Sequence, residues 1–159
     1  MSDALAHVVV SEGLLQVVEG GVLYGQYAGG SVVTIESGAI LELGCGGGHL
    51  TRRTLDAFPA AEVVAVDLSR EMLQMTRPLA EPSRLGLVRN DFGHLCFRPG
   101  AFDLVVSSIS IHHIVDADKR SLFRNVHQSL APGGAFCYSD QFSGETAEIY
   151  QKHIDRWRE

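Results

Sequence analysis

The stretch Ile40–Leu50 reads ILELGCGGGHL, and its reading decides the fold. A short apolar run, Ala39–Leu43, leads directly into Gly44-Cys45-Gly46-Gly47-Gly48. An apolar run of this length, bounded by turn residues, is the pattern of a buried parallel strand. Glycine after such a strand lets the backbone take positive φ and lets a ligand approach without meeting a Cβ. His49–Phe58 then reads as a helix, with Leu50, Leu55 and Phe58 on its apolar side and Pro59 as its stop. The start of that helix offers free N–H groups and a positive dipole end to an anionic group.

The same alternation runs outward from the loop. Val63–Val66 is a second buried strand, and Ser69 caps a helix carrying Met72, Leu73 and Met75 before Pro78 and Pro82 break it. Leu85–Arg89 and Phe102–Ser108 are a third and a fourth strand. Asp118 opens a helix with Leu122, Phe123, Val126 and Leu130 at helical spacing, which Pro132-Gly133-Gly134 ends. Ala135–Ser139 is a fifth strand, and the tail from Glu145 reads as helical, with Tyr150, Ile154 and Trp157 on one side. Before the glycine loop, residues 3–19 fit a helix carrying Leu5, Val9, Leu14, Leu15 and Val18; residues 22–37 are ambiguous. Strands alternating with helices predict an α/β fold, a three-layer sandwich around a mostly parallel Rossmann-like sheet with right-handed crossovers. Ligands of such sheets bind beyond the carboxyl ends of the strands, where strand order reverses. The expected organisation is one domain: an N-terminal helical or lid segment (1–38), a nucleotide-binding core (39–140) and a C-terminal helix (141–159).

Composition narrows the function. The 159 residues suit a single core, and 45% hydrophobic with 20% charged is ordinary for a water-soluble domain. No apolar run is long enough to span a bilayer. The start, MSDALAHVVV, has no basic region, so no secretory signal is expected. The net charge is −6, and Lys119 and Lys152 are the only lysines. Such a chain is a poor holder of phosphate backbones, which disfavours nucleic acid as a partner. Cys45, Cys96 and Cys137 form no C-x-x-C pair, which reads as a reducing, cytoplasmic setting without disulfides or structural zinc.

The loop itself excludes two ligand classes. A dinucleotide fingerprint counted from Gly44 needs its third glycine where His49 stands. A P-loop needs Gly-Lys-Ser/Thr, which is absent. What remains is E-x-G-x-G-x-G, made by Glu42, Gly44, Gly46 and Gly48. Further along stand VVAVDLSREML (63–73), Asn90-Asp91-Phe92, FDLVVSSISIHHI (102–114) and LAPGG (130–134).

These five segments, in this order over residues 39–140, resemble the class I S-adenosylmethionine-dependent methyltransferases. Within them the chain is most similar to the small-molecule branch that includes ubiquinone/menaquinone-biosynthesis-type methyltransferases. The resemblance implies S-adenosyl-L-methionine as cofactor and no metal. Glu42, Gly44, Cys45, Gly46 and Gly48 would border the methionine end. Asp67 would accept from both ribose hydroxyls, with Leu68 and Met72 beside it. Asn90, Asp91 and Phe92 would meet the adenine, the acid at its amino group and the apolar residue on the ring. Ser108 would complete the cofactor wall, and His112 and His113 would face the reacting methyl. Structural roles compete at several of these positions: a hydrogen bond for Glu42, a helix cap for Asp67, loop packing for the histidine pair. Cys45 reads as a small loop residue rather than a nucleophile, since no base stands beside it. Tyr24 and Tyr27 precede the first core strand, where relatives fold a lid.

The expected activity is in-line methyl transfer to a small molecule, in which positioning supplies much of the rate and histidine is useful for deprotonating a hydroxyl. Two other functions compete, a cofactor-binding subunit without catalysis and a nicotinamide oxidoreductase. The resemblance also implies a final antiparallel strand pair, for which the twenty residues after the fifth strand leave no room. The open edge so created is an association hazard. A shortened chain, a partner or second copy, or the tail helix would each account for it.

Overall fold

The computed structural model describes residues 6–11, 14–19, 33–34, 38–79, 84–140, 146–148, 151–152 and 155. Its elements run β1 (Ala6–Ser11), β2 (Leu14–Glu19), β3 (Val33–Thr34), β4 (Ala39–Leu43), α1 (His49–Ala57), β5 (Glu62–Asp67), α2 (Arg70–Thr76), β6 (Leu85–Arg89), β7 (Phe102–Ser108), α3 (Asp116–Ser129) and β8 (Leu130–Ser139). Two sheets form. One is parallel, in the order β6-β5-β4-β7-β8; the other is small and antiparallel, in the order β2-β1-β3.

The expected helix over 3–19 is corrected: that segment pairs as two antiparallel strands, Ala6 opposite Glu19 through Ser11 opposite Leu14. Its runs Val8-Val9-Val10 and Val17-Val18 are β-branched, which costs χ1 freedom in a helix and suits a pleated surface. Their apolar positions fall at spacings a helix also produces, because β1 ends at Ser11 and β2 begins at Leu14. Tyr24, Tyr27 and Pro82 lie outside the described residues, as do Tyr150, Ile154 and Trp157; the described tail positions 147–148, 151–152 and 155 are helical.

In the parallel sheet, alternation divides β4 between two layers. Ile40 joins Leu104, Val106, Ala65, Leu50 and Phe58 in the core under α1. Leu41 and Leu43 face the other way, into a core with Val105, Val66, Leu122 and Val126 under α3. Ile40, Leu41, Leu43 and Leu104 are fully buried, which contributes roughly 1.5–3 kcal/mol per side chain. Glu42 shares the α1 face with Ile40, so a carboxylate is carried into an apolar layer. Two strand–helix boundaries shift from expectation. α3 begins at Asp116, two residues early, and Leu130 is already strand: β8 pairs Phe102 with Leu130 and Leu104 with Ala135, with an irregularity between that accommodates Pro132-Gly133-Gly134.

The reversal of strand order falls at β4, which has β5 on one side and β7 on the other. The glycine loop leaves the sheet there. α1 is held at its far end by Arg84, whose Nη2 donates to the carbonyls of Leu55 at 2.7 Å and Phe58 at 2.9 Å. The Leu55 carbonyl is an orphan of the last turn of α1, and the Phe58 carbonyl at the C-cap also accepts from the Ala61 N–H; a cation there opposes the helix dipole. Replacing Arg84→Met keeps the stem and removes both Nη2 bonds, together with the longer one from Nε to the Ala61 carbonyl at 3.5 Å. It should lower unfolding stability by about 2 kcal/mol, read as a lower urea midpoint at unchanged slope; an unchanged midpoint contradicts the anchoring role.

Candidate functional site

The glycine loop is fixed from three directions. The N–H groups of Gly44 and Cys45 both donate to the Val66 carbonyl, at 2.8 and 3.0 Å. Asp67, ending β5, accepts from the Gly46 N–H through Oδ2 and from the Ser69 N–H through Oδ1, each at 2.8 Å. One carboxylate thus ties the loop to the start of α2. Ser69 caps α2 as expected, its Oγ accepting from the Met72 N–H at 3.2 Å. Thr76, fully buried at the end of α2, donates to the Gly46 carbonyl at 2.8 Å.

Gly44 has φ +72°, and a Cβ there would collide with Ser110. Only glycine allows β7's exit to pass this close to the loop. Gly46 is the opposite case: a Cβ built on it meets nothing within 4 Å. The loop is therefore packed at its first glycine and open at its middle one, with the Asp67 carboxylate bonded to the open residue's amide.

Beneath the loop lies Glu42, 1% exposed. Burial pushes its carboxyl up to about 7; the hydroxyl and N–H of Thr51 oppose that shift, and the Asp67 charge adds to it. Thr51 nevertheless closes no hydrogen bond onto Oε2: both Oε2 and Thr51 Oγ1 are buried without a partner. Orphaned acceptors of this kind are costly in a folded interior. The buried Cys45 thiol is pushed up to about 12, first by burial and then by the charges of Glu42 and Asp67. A thiol held that far from ionisation is no nucleophile at neutral pH, in keeping with its reading as a loop residue.

On the β7 side, Ser107 and Ser110 both contact the Leu43 carbonyl at 2.9 Å and each other at 2.8 Å. Two hydroxyl protons serve at most two of these three contacts at once. Both side chains are buried, so they hold the last carbonyl of β4 in place. Ser108, the expected wall residue, alternates to the other face of β7; Ser107 and Ser110 are the serines that reach the loop. The next residue, Ile109, stands at φ +50° and 45% exposed, a strained backbone for a β-branched side chain.

The third expected segment is only partly gathered. Asp91 accepts from the Gly93 N–H at 2.9 Å and faces His94 Nδ1 at 3.0 Å. The His94 hydrogen bond, and then that of Gly93, hold its carboxyl below the usual range. Asn90 Oδ1 accepts from the Asp91 N–H. Phe92 is 8% exposed and packs inward with Leu43, Val66 and Ile111, so it has little free face to offer a ring. The exposed apolar groups beside Asp67 are Leu68 and Met72, at 61% and 39%.

The histidine pair is divided by its surroundings. His112 donates its N–H to Asp140 Oδ2 at 2.9 Å, and its Nδ1 lies 2.6 Å from Asp140 Oδ1. His113 is exposed and stacks on His112 with centroids 4.0 Å apart. Asp140, just past β8, was not singled out from sequence, and neither were Thr76, Ser107 or Ser110. Each acts on a residue whose chain neighbours give no hint of it; the only available signal was their position at strand or helix ends. Among the described residues no three His, Cys, Asp or Glu side chains form a metal cluster, and no helix is long and apolar enough to cross a membrane.

This set fits the adenosyl cofactor that the sequence motifs imply: an open cradle at Gly46, a carboxylate on its rim, and a buried acid with a free acceptor atom below. The Glu42 cost also sets a pH dependence. Its folded value lies above its unfolded value, so the charged form is disfavoured by folding. Stability from this group is full below about pH 4.5 and is lost as pH rises through about 7. Glu42→Gln should therefore gain up to about 3 kcal/mol over the parent at pH 8 and nothing at pH 4, measured by urea unfolding. A gain that is equal at both pH values contradicts a proton-linked cost.

Residues 40–134 match the methyltransferase domain family. A malonyl-[acyl-carrier protein] O-methyltransferase of Chlorobium phaeovibrioides is 36% identical over 115 residues, covering 70% of this chain and 44% of that protein. An uncharacterised methyltransferase of Bacillus cereus is 30% identical over 129 residues, 80% of this chain and 58% of that one. Among solved structures, an S-adenosylmethionine-dependent methyltransferase from Mesorhizobium loti superposes with TM-score 0.58 at 36% identity, covering 65% of this chain and 47% of that one. The chain thus spans about half the length of the relatives it matches. With the five-stranded parallel sheet and the glycine loop at its reversal point, the match over residues 40–134 shows that the chain belongs to the class I S-adenosylmethionine-dependent methyltransferase family.

Proposed function

We propose that the chain binds S-adenosyl-L-methionine at the reversal point and directs its methyl group to a small-molecule acceptor. The observation that carries this reading is the pairing of the open Gly46 with the Asp67 carboxylate, 2.8 Å from its amide. Each carboxylate oxygen accepts more than one hydrogen bond, so Asp67 can hold Gly46 and Ser69 and still receive two ribose hydroxyls. Leu68 and Met72 supply exposed apolar surface beside it. Asn90 and Asp91 close the adenine side, with Phe92 packed inward beneath them. Gly44, Cys45, Gly46 and Gly48 border the methionine end, with Glu42 below as an anionic floor.

When bound, the cofactor supplies an electrophilic methyl on a sulfonium. The protein's own work is to orient and to exclude water. The loop is pre-fixed by Val66, Asp67 and Thr76, so little ordering remains to be done on binding. The ionised form of Glu42 complements a cationic ligand. The reading also places the protein in the cytoplasm, in keeping with three free thiols, and assigns a partner or second copy to the edge of β8 that no described strand pairs.

Titration calorimetry tests the reading. The parent should bind S-adenosylmethionine and S-adenosylhomocysteine and should not bind NAD(H). Asp67→Asn leaves a single acceptor oxygen and should weaken both sulfur ligands by about 10- to 100-fold, the loss of one charge-assisted hydrogen bond or two. Tight NAD(H) binding without either sulfur ligand contradicts the proposal.

A further inference from the structure

The methyl-transfer reading leaves open what kind of acceptor the site is built for. The side chains at the ends of β7 and β8 bear on that question. Asp140 is carried at the carboxyl end of β8 with its side chain only 3% exposed, against 28% for His112. It grips His112 twice, through the backbone N–H and through Nδ1 at 2.6 Å. The two grips fix both the position of the turn and the rotation of the ring. A carboxylate facing Nδ1 at that distance selects the tautomer with the proton on Nδ1, which leaves the Nε2 lone pair unprotonated. Among the described residues Nε2 has no hydrogen-bond partner. Among the described residues no such acid orients His113, which is exposed, so the structure distinguishes the two histidines that the sequence left equivalent.

The location is also defined. Ser110, two residues before His112, bonds the Leu43 carbonyl, the last group before Gly44. His112 therefore stands on the same rim as the glycine loop, one strand over from β4.

We infer that His112 and Asp140 form an oriented general-base pair, and that the acceptor is a neutral hydroxyl compound, an alcohol or phenol, rather than a carboxylate. The inference rests on the methyl-transfer reading above. A carboxylate acceptor is already ionised at neutral pH and has no proton to give up. An acid held dry behind an imidazole serves an acceptor whose proton must leave during the reaction. In the step, Nε2 takes the hydroxyl proton, the oxygen's electron pair forms the new O–C bond, and the C–S bond breaks with its pair remaining on sulfur. The products are a methyl ether, a neutral thioether and an imidazolium, which the Asp140 carboxylate stabilises until its proton passes to solvent. Asp140 touches no reacting atom and is a positioning residue.

Two measurements on the full chain test this. The first needs no acceptor. For the neutral imidazole, nitrogen-15 NMR should show the His112 proton on Nδ1, and Asp140→Asn should move it to Nε2, because the amide presents acceptor and donor differently. A parent His112 protonated on Nε2 overturns the dyad. The second measures methyl transfer to catechol, phenol and an aliphatic alcohol against acetate and a malonate monoester. Transfer to the hydroxyl compounds is expected. Asp140→Asn and His112→Asn should each lower kcat by about 100-fold or more while KM and S-adenosylhomocysteine affinity stay within twofold. Methylation of the carboxylates alone, or of neither class, overturns the acceptor assignment, as does an equal loss in kcat and cofactor affinity. If the parent binds no S-adenosylhomocysteine, the methyl-transfer reading itself fails, and the tautomer measurement still decides the dyad.

Discussion

The carboxylate of Asp67 is the interaction on which the site depends. It accepts one amide from the middle of the glycine loop and one from the cap of α2, and so joins two loops that leave different strands of the sheet. Backbone amides in loops must find acceptors or water, and here one side chain serves both. The consequence runs in two directions. Downward, it fixes the loop above Glu42; outward, it leaves Gly46 facing open space. The serine pair on the Leu43 carbonyl makes the matching constraint from β7. The reversal point is therefore clamped from both neighbouring strands before any ligand arrives.

The fold was legible where burial imposes a simple pattern. β4 and β7 are buried on both faces and read as continuous apolar runs, and their bounds follow directly from Ala39–Leu43 and Phe102–Ser108. α1 starts after three glycines and ends before Pro59. The N-terminal segment misled for a physical reason. β1 and β2 are valine-rich and offset by two residues, so their apolar positions fall at spacings a helix also produces. β-branching is the better signal in this segment than period. At Leu130 the difference is smaller: helical spacing continues one residue past the helix, because the first residue of β8 is half-buried against Phe102, its strand partner.

The site was legible in its backbone and less so in its side chains. Glu42, Gly44, Gly46 and Asp67 lie together as the motif implies, since their spacing is set by one strand–loop–helix unit and its neighbour. Ser107 and Ser110, not singled out beside Ser108, are the serines that bond the Leu43 carbonyl, because a strand's period of two decides which hydroxyl faces the loop and a motif does not state its phase. Asp140 and Thr76 could not be read at all. Their partners lie 28 and 30 residues away, and only the parallel order of β7 beside β8, and of β5 beside β4, brings them together. Glu42 and Cys45 add a lesson in electrostatics. Three acidic or thiol groups share a small volume, and burial, with their mutual repulsion, keeps the thiol protonated and the glutamate near its midpoint at neutral pH. A cation above them would relieve that repulsion, which is the complementarity the proposed ligand supplies.

The most direct measurement is a crystal structure of the chain with S-adenosylhomocysteine. The expected result places both ribose hydroxyls within hydrogen-bond reach of the Asp67 carboxylate and the amino-acid end along Gly44–Gly46, above Glu42. A ligand bound elsewhere on the sheet, with Asp67 engaging only the Gly46 and Ser69 amides, would contradict it.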